Sequence, residues 1–380
     1  MIPAFIGCLA CLIWIVLLAG WGRFWRIATP ADGLTVQSET APAIAVVVPA
    51  RNEADVIGPV LEALIGQSYP GPLRMFVVDD HSDDATARVV SELALRAAGR
   101  VTLISAAPLP AGWTGKMWAL SQGVERAAEF DPEYFLFTDA DIVHEPGSVS
   151  SLVALAQARK LDMVSMMVKL RCASFAERAL IPAFVFFFFM LYPPEWVNDR
   201  RKKTAAAAGG DILVRADALA RIGGIATIRN ELIDDCALAR EVKRAGGIFL
   251  GLTRNASSIR PYEGFGGIGR MISRNAFYQL GHSVWLLIGT LLGLAITYLM
   301  PPALIFFGGW AAVFGAATWI LMSFSFLPMV RFYGLSPLWA FSLPLVALFY
   351  AGATVHSAIQ YWTGRGGEWK GRAQDTRSNH

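Results

Sequence analysis

Acidic side chains stand where apolar segments of this chain end. Asp139-Ala140-Asp141 follows the apolar run at 134–137 and Thr138, and Asp79-Asp80 ends the run that begins at Met75. Two carboxylates spaced two residues apart at a strand end can jointly hold a hard divalent cation with its waters and a substrate's phosphates. An aspartate pair at a turn is more often a solvated cap, so this motif alone leaves both interpretations open.

Three further positions carry the same ambiguity. Asp79-Asp80 can accept a hydrogen bond from a base N–H or a ribose hydroxyl, or can cap the helix that follows. Lys116 begins a predicted helix after a Gly-Trp-Thr-Gly turn, where it either contacts a diphosphate or is a surface lysine. Asp234-Asp235 precedes a predicted helix at 237–244, whose dipole stabilises acidic side chains at its start. The functional alternative is a general base for an acceptor hydroxyl.

The segments that carry these residues alternate between short apolar β-branched runs and helical periodicity. This alternation predicts an α/β domain with a mostly parallel sheet covered on both faces. Ligands bind at the carboxyl ends of the strands in such sheets. Arg51-Asn52-Glu53 and both aspartate motifs fall there, which predicts one shared site. The predicted strands are 44–49, 75–78, 101–104, 134–137 and 163–168.

Two other patterns are misleading. Gly264, Gly266 and Gly269 fit G-x-G-x-x-G, but no clear strand precedes them and the residues about 20 positions on are apolar, so the dinucleotide interpretation fails. The basic run at 200–203 is not a nucleic-acid patch, because residues 23–282 contain 28 basic and 28 acidic side chains. We therefore expect no nucleic-acid partner.

Uncharged segments enclose this balanced block. Residues 1–22, 283–330 and 332–364 contain no charged side chain. About 20 apolar residues span a bilayer core, which predicts one crossing near 2–21, two at 284–300 and 303–327 with a turn at Pro301-Pro302, and a candidate at 338–362. Basic residues follow the first segment, so it is an anchor with the block on the cytoplasmic side, not a cleavable signal.

The last apolar segment conflicts with that orientation. Three crossings after the block would export a tail with four basic residues, which the positive-inside rule disfavours. A break at Pro344 and Gly352 into a re-entrant or interfacial pair would resolve the conflict. The predicted organisation is an anchor at 1–22, a catalytic block at 23–282, a membrane region at 283–364 and a basic tail at 365–380. Within the block, 180–203 contains four consecutive phenylalanines and a basic run, and is predicted to lie in the membrane interface or to form a buried core helix.

The order of the motifs is more specific than any one of them. Over residues 44–282 the chain resembles the family 2 glycosyltransferases. The resemblance rests on five motifs in this order: 48–53 (Val-Pro-Ala-Arg-Asn-Glu), 77–84, Gly115-Lys116, 139–141, and 234–235 with Leu238. The resemblance implies a GT-A fold, a nucleotide-sugar donor, Mg²⁺ or Mn²⁺, and an inverting single displacement.

The same resemblance implies roles for individual residues. Asp139 and Asp141 look like the metal carboxylates, Asp235 matches the base with Asp234 beside it, and Gly209-Gly210-Asp211 with Arg215 looks like an acceptor-side loop. The implied nucleotide-sugar ligands are Pro49, Arg51, Glu53, Asp79, Asp80, Lys116 and Asp139.

The chain departs from the polysaccharide synthases of this family. Those synthases carry a motif of Gln or Arg, then two residues of any type, then Arg-Trp. This chain lacks the motif, since Asn275 follows Arg274 where Trp would stand, and Met271 stands where Gln or Arg would stand. Arg270 is one residue out of register, although Arg270 or Arg274 can still assist at the diphosphate. The layout of the whole chain resembles the hopene-associated glycosyltransferases of bacteria. That narrower resemblance implies the bacterial cytoplasmic membrane and a lipid acceptor, with a hopanoid as the narrower candidate.

The alternatives come from other classes. The chain could be a catalytically silent membrane scaffold that keeps the fold, or a polysaccharide synthase. A transporter is disfavoured because no charged residue lies inside a predicted span. A lipid acceptor is favoured because apolar segments hold the block to the membrane at both ends and because 184–192 is rich in phenylalanine.

Overall fold

The structure is a computed structural model that describes residues 1–37, 39, 41–364, 368–369 and 372–373. The chain divides into two compact units, each assembled from separate stretches of sequence. The α/β unit contains 28–171 and 196–260, and the helical unit contains 1–27, 172–195 and the chain from 261 onward. Most of the predicted basic tail, 365–380, lies outside the described residues.

The helices are numbered along the chain. They are α1 (Ile2–Gly20), α2 (Ile57–Ile65), α3 (Thr86–Arg96), α4 (Gly115–Ala127), α5 (Ser148–Arg159), α6 (Phe175–Leu191), α7 (Pro194–Asn198), α8 (Ala216–Arg221), α9 (Asp234–Ala245), α10 (Gly264–Gln279), α11 (Val284–Leu294), α12 (Met300–Leu304), α13 (Gly309–Phe332) and α14 (Leu343–Trp362).

One eight-stranded sheet forms the centre of the α/β unit among the described residues, in the order β3-β2-β1-β4-β7-β6-β8-β5. Its strands are β1 (Ile44–Ala50), β2 (Leu73–Asp79), β3 (Val101–Ser105), β4 (Tyr134–Thr138), β5 (Ile142–His144), β6 (Met163–Lys169), β7 (Asp211–Arg215) and β8 (Ile248–Ser258). The pairs β1–β2, β2–β3, β1–β4 and β6–β8 are parallel. β5 and β7 run antiparallel to their neighbours. The predicted mostly parallel α/β sheet is confirmed.

Apolar strands and close helix packing build the core. Every residue of β1 is buried, as a central strand covered on both faces requires. α4 packs against β1 at Gly123, where an added Cβ would lie 2.3 Å from the Val47 side chain. This contact fixes the start of α4, which carries Lys116, relative to the sheet.

Strand direction decides which side chains share an edge. β1, β2, β4 and β8 all end at the same edge of the sheet because they run in one direction. β7 runs the other way and begins there, with Asp211 paired to Thr138. Asp141, which follows β4, therefore meets Arg260, which follows β8. The apolar pattern missed β8 because Thr253, Arg254 and Asn255 interrupt it.

Four helical segments of the helical unit are long and apolar enough to cross a membrane: Ile2–Gly20, Val284–Phe307, Gly309–Phe332 and Pro337–Trp362. The predicted turn at Pro301-Pro302 is wrong. Both prolines lie inside the continuous helical segment 284–307, directly after a π-helical turn at Ala295–Leu299 that interrupts the regular hydrogen-bond ladder. The chain reverses instead at Gly308 and Gly309, whose positive φ values of 69° and 54° suit glycine.

The phenylalanine run of α6 is only partly exposed. Phe186 and Phe189 are buried, and Phe186 packs edge-on against Phe24 and Phe326, whereas Phe187 and Phe188 are half-buried. Both predicted settings of 180–203, the membrane interface and a buried core helix, stay predictions. α14 continues through Gly352 without a break, because glycine lowers helix stability by only about 1 kcal/mol.

Candidate active site

Lys116 lies at the centre of the first charged cluster at the carboxyl edge of the sheet. Its ammonium is 3.0 Å from Asp139 Oδ1 and 3.4 Å from Asp234 Oδ2. Thr114 caps α4 and donates its backbone N–H to the carbonyl of Arg229, which ties the start of α4 to the segment before α9. Residues from β4, α4 and α9 thus meet around one cation. We call Lys116, Asp139, Asp234 and Asp235 the lysine cluster.

The lysine cluster shifts the acidity of its members. Burial raises the pKa of Asp235 to about 7, the nearby Asp234 carboxylate adds to the effect, and Lys116 opposes it. Burial lowers the pKa of Lys116, but Asp139 and Asp234 outweigh it, and the net pKa is raised. Lys116 is therefore charged at neutral pH, and Asp235 takes up and releases a proton near neutrality.

The lysine cluster lines a cavity of about 340 Å³, a volume that includes its opening to solvent. Pro49 and Thr138 line the same cavity, and apolar side chains such as Leu120 and Ile228 complete the wall. A Cβ on Gly209 would lie 3.4 Å from Asp235 and 3.5 Å from Lys116, so the backbone approaches closely there. Five of the predicted site residues therefore face one space: Pro49, Lys116, Asp139, Asp234 and Asp235.

Arg260 is the centre of a second cluster, which we call the arginine cluster. Its guanidinium pairs with Glu53 after β1 and lies 3.2 Å from Asp141 after β4. Ser258 donates its hydroxyl to the same Asp141 oxygen at 2.9 Å. Burial and Asp139 raise the pKa of Asp141, and Arg260 opposes them. The sequence analysis did not single out Arg260. The available signal was a basic residue shortly after the end of β8, a strand that ends at the site edge.

Arg51 joins the ends of β1 and β2. It donates to the Asp80 carbonyl at 2.6 Å and lies 3.8 Å from the Asp80 carboxylate, which is buried. Asp79 is also buried, and its Oδ1 has no hydrogen-bond partner in the described part of the chain. A buried acceptor without a partner is costly, so Asp79 suits a ligand N–H or hydroxyl.

The acceptor-side loop is only partly placed at the site. The Gly210 carbonyl accepts the Thr138 hydroxyl at 2.9 Å, directly before Asp139. The Asp211 carboxylate is buried and lies 3.5 Å from His144 Nε2, which is equally buried. In this structure the Asp211 side chain is therefore closed to solvent, and its acceptor-side role stays a prediction. His144 was not singled out in the sequence.

Arg215 stands at the opposite edge of the sheet. It ends β7 beside Tyr134, the first residue of β4, and its side chain pairs with Asp217 at 3.0 Å. A five-residue strand is about 13 Å long from its first to its last residue, so the antiparallel direction of β7 carries Arg215 away from Asp139. This position gives no support to the acceptor-side role of Arg215, which stays a prediction.

The two predicted diphosphate arginines belong to the helical unit. Arg270 and Arg274 lie on α10 with exposed side chains, and Arg270 pairs with Glu263 at 2.8 Å. Their role at a diphosphate stays a prediction.

The carboxylates of the two clusters suit a divalent cation that substrate phosphates and water also hold. Within the described residues, no group of three His, Cys, Asp or Glu side chains forms a cage made by protein alone. Mg²⁺ is usually held by one or two carboxylates together with substrate phosphates and water. The two clusters contain five carboxylates and two basic side chains, so an excess of negative charge remains for a cation at Asp139 and Asp141.

A mostly parallel sheet with polar side chains at its carboxyl edge defines an α/β domain whose ligand site lies at that edge. Residues 42–250 match the model of the glycosyltransferase like family 2. The chain belongs to this family, and the expected Rossmann-like GT-A fold is confirmed.

One curated protein and one solved structure are similar to this chain. The probable glycosyltransferase YdaM of Bacillus subtilis (strain 168) is 29% identical over 150 residues, which are 37% of this chain and 34% of that protein. The match thus spans about a third of the relative. The mannosyltransferase PcManGT of Pyrobaculum calidifontis, solved with GDP-Man and Mn²⁺, superimposes with a TM-score of 0.59 at 17% identity. That superposition covers 93% of this chain and 98% of the other, and it shows a shared fold.

Proposed function

We propose that this protein is a membrane-bound glycosyltransferase that moves a sugar from a nucleotide sugar to a lipid hydroxyl with inversion. The observation that carries the proposal is the convergence of Lys116, Asp139, Asp234 and Asp235 on one cavity of a family 2 domain. The same chain contains four helical segments that are long and apolar enough to cross a membrane.

The donor's nucleoside end is assigned to the residues after β1 and β2. Asp79 has a buried oxygen that finds no partner among the described residues, and a base N–H or a ribose hydroxyl would satisfy it. Arg51 and Glu53 hold the surrounding loops through Asp80 and Arg260. A UDP-sugar is the donor that we propose, and the mannosyltransferase relative was solved with GDP-Man.

The diphosphate is assigned to the edge between the two clusters. Asp139 and Asp141 would hold Mg²⁺ or Mn²⁺, which supplies charge stabilisation to the leaving diphosphate. Lys116 and Arg260 keep positive charge beside the same carboxylates, and we propose that Arg270 or Arg274 assists from α10. Stabilisation of charge that develops in the transition state is usually the largest catalytic contribution.

Asp235 is the proposed general base. The acceptor oxygen forms a bond to the anomeric carbon while the bond from that carbon to the diphosphate oxygen breaks. The acceptor's proton passes to the Asp235 carboxylate, and the nucleoside diphosphate leaves with the bonding pair. Burial, and then the charge of Asp234, keep the pKa of Asp235 high, which makes Asp235 a stronger base.

A lipid acceptor is favoured by the second unit. A soluble acceptor would not require apolar segments at both ends of the chain, such as Ile2–Gly20 and Gly309–Phe332. The resemblance to hopene-associated enzymes makes a hopanoid alcohol the specific acceptor that we propose, in a bacterial cytoplasmic membrane with the α/β unit on the cytoplasmic side. The interfacial role of 180–203 remains part of this proposal.

The decisive experiment is incubation of membranes containing the full chain with a panel of labelled UDP- and GDP-sugars, followed by lipid extraction. We expect label in one lipid product with one donor, dependent on added Mg²⁺ or Mn²⁺. Membranes with the Asp141→Ala variant are the matched control and should lose about 3 kcal/mol of transition-state stabilisation, near a hundredfold in rate.

The competing outcomes are distinct. Donor binding without hydrolysis or transfer in the presence of metal would favour a silent scaffold. Label in a long polymer would favour a polysaccharide synthase. Unchanged transfer by Asp141→Ala would remove the metal assignment.

A further inference from the structure

The last apolar helix ends beside the start of the 284–307 segment. The Tyr361 ring stacks on His282, with ring centroids 4.0 Å apart and planes 11° from parallel. Ala358 shares a buried cluster with Phe277 and Leu287. Since His282 is two residues before α11 begins, the C-terminal end of α14 lies at the same level as the start of α11.

The same level is also where α13 ends. The segment Val284–Phe307 and α13 are each 24 residues long, about 36 Å if helical, and the reversal at Gly308 joins them. They are in close contact next to this reversal, since a Cβ on Gly315 would lie 2.5 Å from the Pro301 carbonyl, and both also lie beside α1, where Gly7 is close to Leu304 and Phe314 and the Trp14 indole donates to the Thr297 carbonyl. The start of α11 and the end of α13 therefore lie at one end of this helix pair, and Gly308 lies at the other.

The connection into α14 is too short to cross a bilayer. Between Gly334 and Leu343 the chain contains a 3₁₀ helix at Pro337–Ser342. A 3₁₀ helix advances about 2 Å per residue and extended chain about 3.3 Å, so this connection covers at most about 22 Å. The hydrocarbon core is about 30 Å thick. The Trp319 indole donates to the Phe341 carbonyl at 3.1 Å, which places the 3₁₀ helix beside the middle of α13.

We propose that Pro337–Trp362 is a re-entrant hairpin that enters and leaves the membrane on one side. It dips to the middle of α13 through the 3₁₀ helix, turns near Pro344 and returns along α14. The exposed face of α14, which would then contact lipids, consists of Leu345, Leu348, Gly352, His356, Ile359 and Trp362. This inference rests on the proposed membrane insertion, and it reduces four candidate spans to three crossings.

The distribution of arginines agrees with this arrangement. α1 runs in the same direction as α13, since Gly7 packs on Phe314 near the start and Trp25 on Phe324 near the end. Arg23, Arg26 and Arg331 therefore lie at the end where the hairpin places Gly364. The opposite end, around Gly308, lies within an uncharged stretch at 283–330. Basic residues concentrate on the cytoplasmic side of membrane proteins.

The test is cysteine accessibility in the full chain. The four native cysteines are replaced by serine, and one new cysteine is introduced per variant at Phe307, Ser336 or Thr363, all exposed positions. Intact bacterial cells are treated with a membrane-impermeant maleimide, and a second sample is treated after permeabilisation. We expect Phe307→Cys to react in intact cells, and Ser336→Cys and Thr363→Cys to react only after permeabilisation.

The outcomes separate this inference from the proposed function. Reaction of Thr363→Cys in intact cells while Ser336→Cys is protected would show that α14 crosses, and would overturn the hairpin. Protection of all three cysteines in intact cells would mean that α13 does not cross, which removes the membrane insertion and the hairpin together. Sugar transfer, measured in the same membranes, reports on the active site independently of either result.

Discussion

The two charged clusters at the carboxyl edge of the sheet differ in how much negative charge one cation must balance. In the lysine cluster, Lys116 faces Asp139, Asp234 and Asp235, whereas in the arginine cluster Arg260 faces Glu53 and Asp141. In the lysine cluster, burial and the neighbouring Asp234 carboxylate together raise the pKa of Asp235 to about 7.

The chemistry of the two cations matches this difference. An ammonium is a compact point charge on a flexible stem, and a guanidinium is a planar fork that can bridge two carboxylates. Arg260 does bridge, since Nη2 pairs with Glu53 and Nε with Asp141. The comparison suggests that the lysine cluster serves proton transfer and the arginine cluster serves positioning of the donor.

The largest effect should come from Asp235→Asn. The amide cannot accept the acceptor's proton, and general base catalysis contributes about 10²–10⁴-fold, so kcat should fall by that factor while the donor KM changes little. Initial rates at saturating donor measure it. Asp217→Asn, an exposed aspartate beside Arg215, is the matched control. Near-normal kcat in Asp235→Asn would break the assignment of proton transfer to the lysine cluster.

Lys116→Met should lower both transfer and stability. Without the ammonium, Asp139 and Asp234 face each other with no cation between them, and losing one partner of a partly buried pair should cost about 2 kcal/mol. Thermal unfolding in detergent should shift down by several degrees. Adding Asp234→Asn should restore part of the stability because it removes one unpaired charge. If the stability losses of Lys116→Met and Asp234→Asn simply added in the double variant, the two residues would not share a cluster.

The pH dependence of the transfer rate and of stability tests the raised pKa of Asp235 in the lysine cluster. Asp235 must be ionised to act as a base, so the transfer rate should rise as pH increases through about 7. The folded-state pKa of Asp235 lies above its unfolded value, so ionising it opposes folding at higher pH. Asp235→Asn should therefore raise the unfolding temperature at pH 8, and the gain should shrink as pH falls toward 4. A gain independent of pH would contradict the raised pKa.

Arg260→Lys should have a smaller effect, concentrated in donor binding. Lysine keeps the charge but cannot bridge Glu53 and Asp141 with a planar fork, and one lost charge-assisted hydrogen bond is worth about 1.5–3 kcal/mol. The donor KM should rise about tenfold or more with a smaller change in kcat. Arg221→Lys, which pairs with Asp162 and Asp217, is the control. A fall in kcat alone would assign Arg260 to catalysis instead.

The smallest effect is expected from Arg215→Ala. Its exposed pair with Asp217 contributes less than about 1 kcal/mol, and it lies at the far edge of the sheet. Transfer to the lipid should change less than about twofold, measured as kcat/KM for the acceptor. A strong loss of acceptor binding would support the role that the family resemblance implied.

The order of local motifs made much of the site predictable. Apolar runs located β1, β2, β4 and β6, and the polar residues directly after them included Glu53, Asp79 and Asp139. The site features that the sequence did not reveal lie at strands that are short or interrupted by polar residues. β8 contains polar residues, so Arg260 had no recognised strand before it, and β7 was interpreted as a loop, which hid the distance between Asp211 and Arg215.

The sequence by itself determined the class of the protein, because the class depends on local properties. These are the period-two and helical periodicity, the carboxylates at strand ends and the long uncharged segments. Only the tertiary structure decided which charges share a cation, because strand direction and sheet order bring Asp139 to Lys116 and Asp141 to Arg260 across long stretches of chain. The burial that raises the pKa of Asp235 also depends on those long-range contacts.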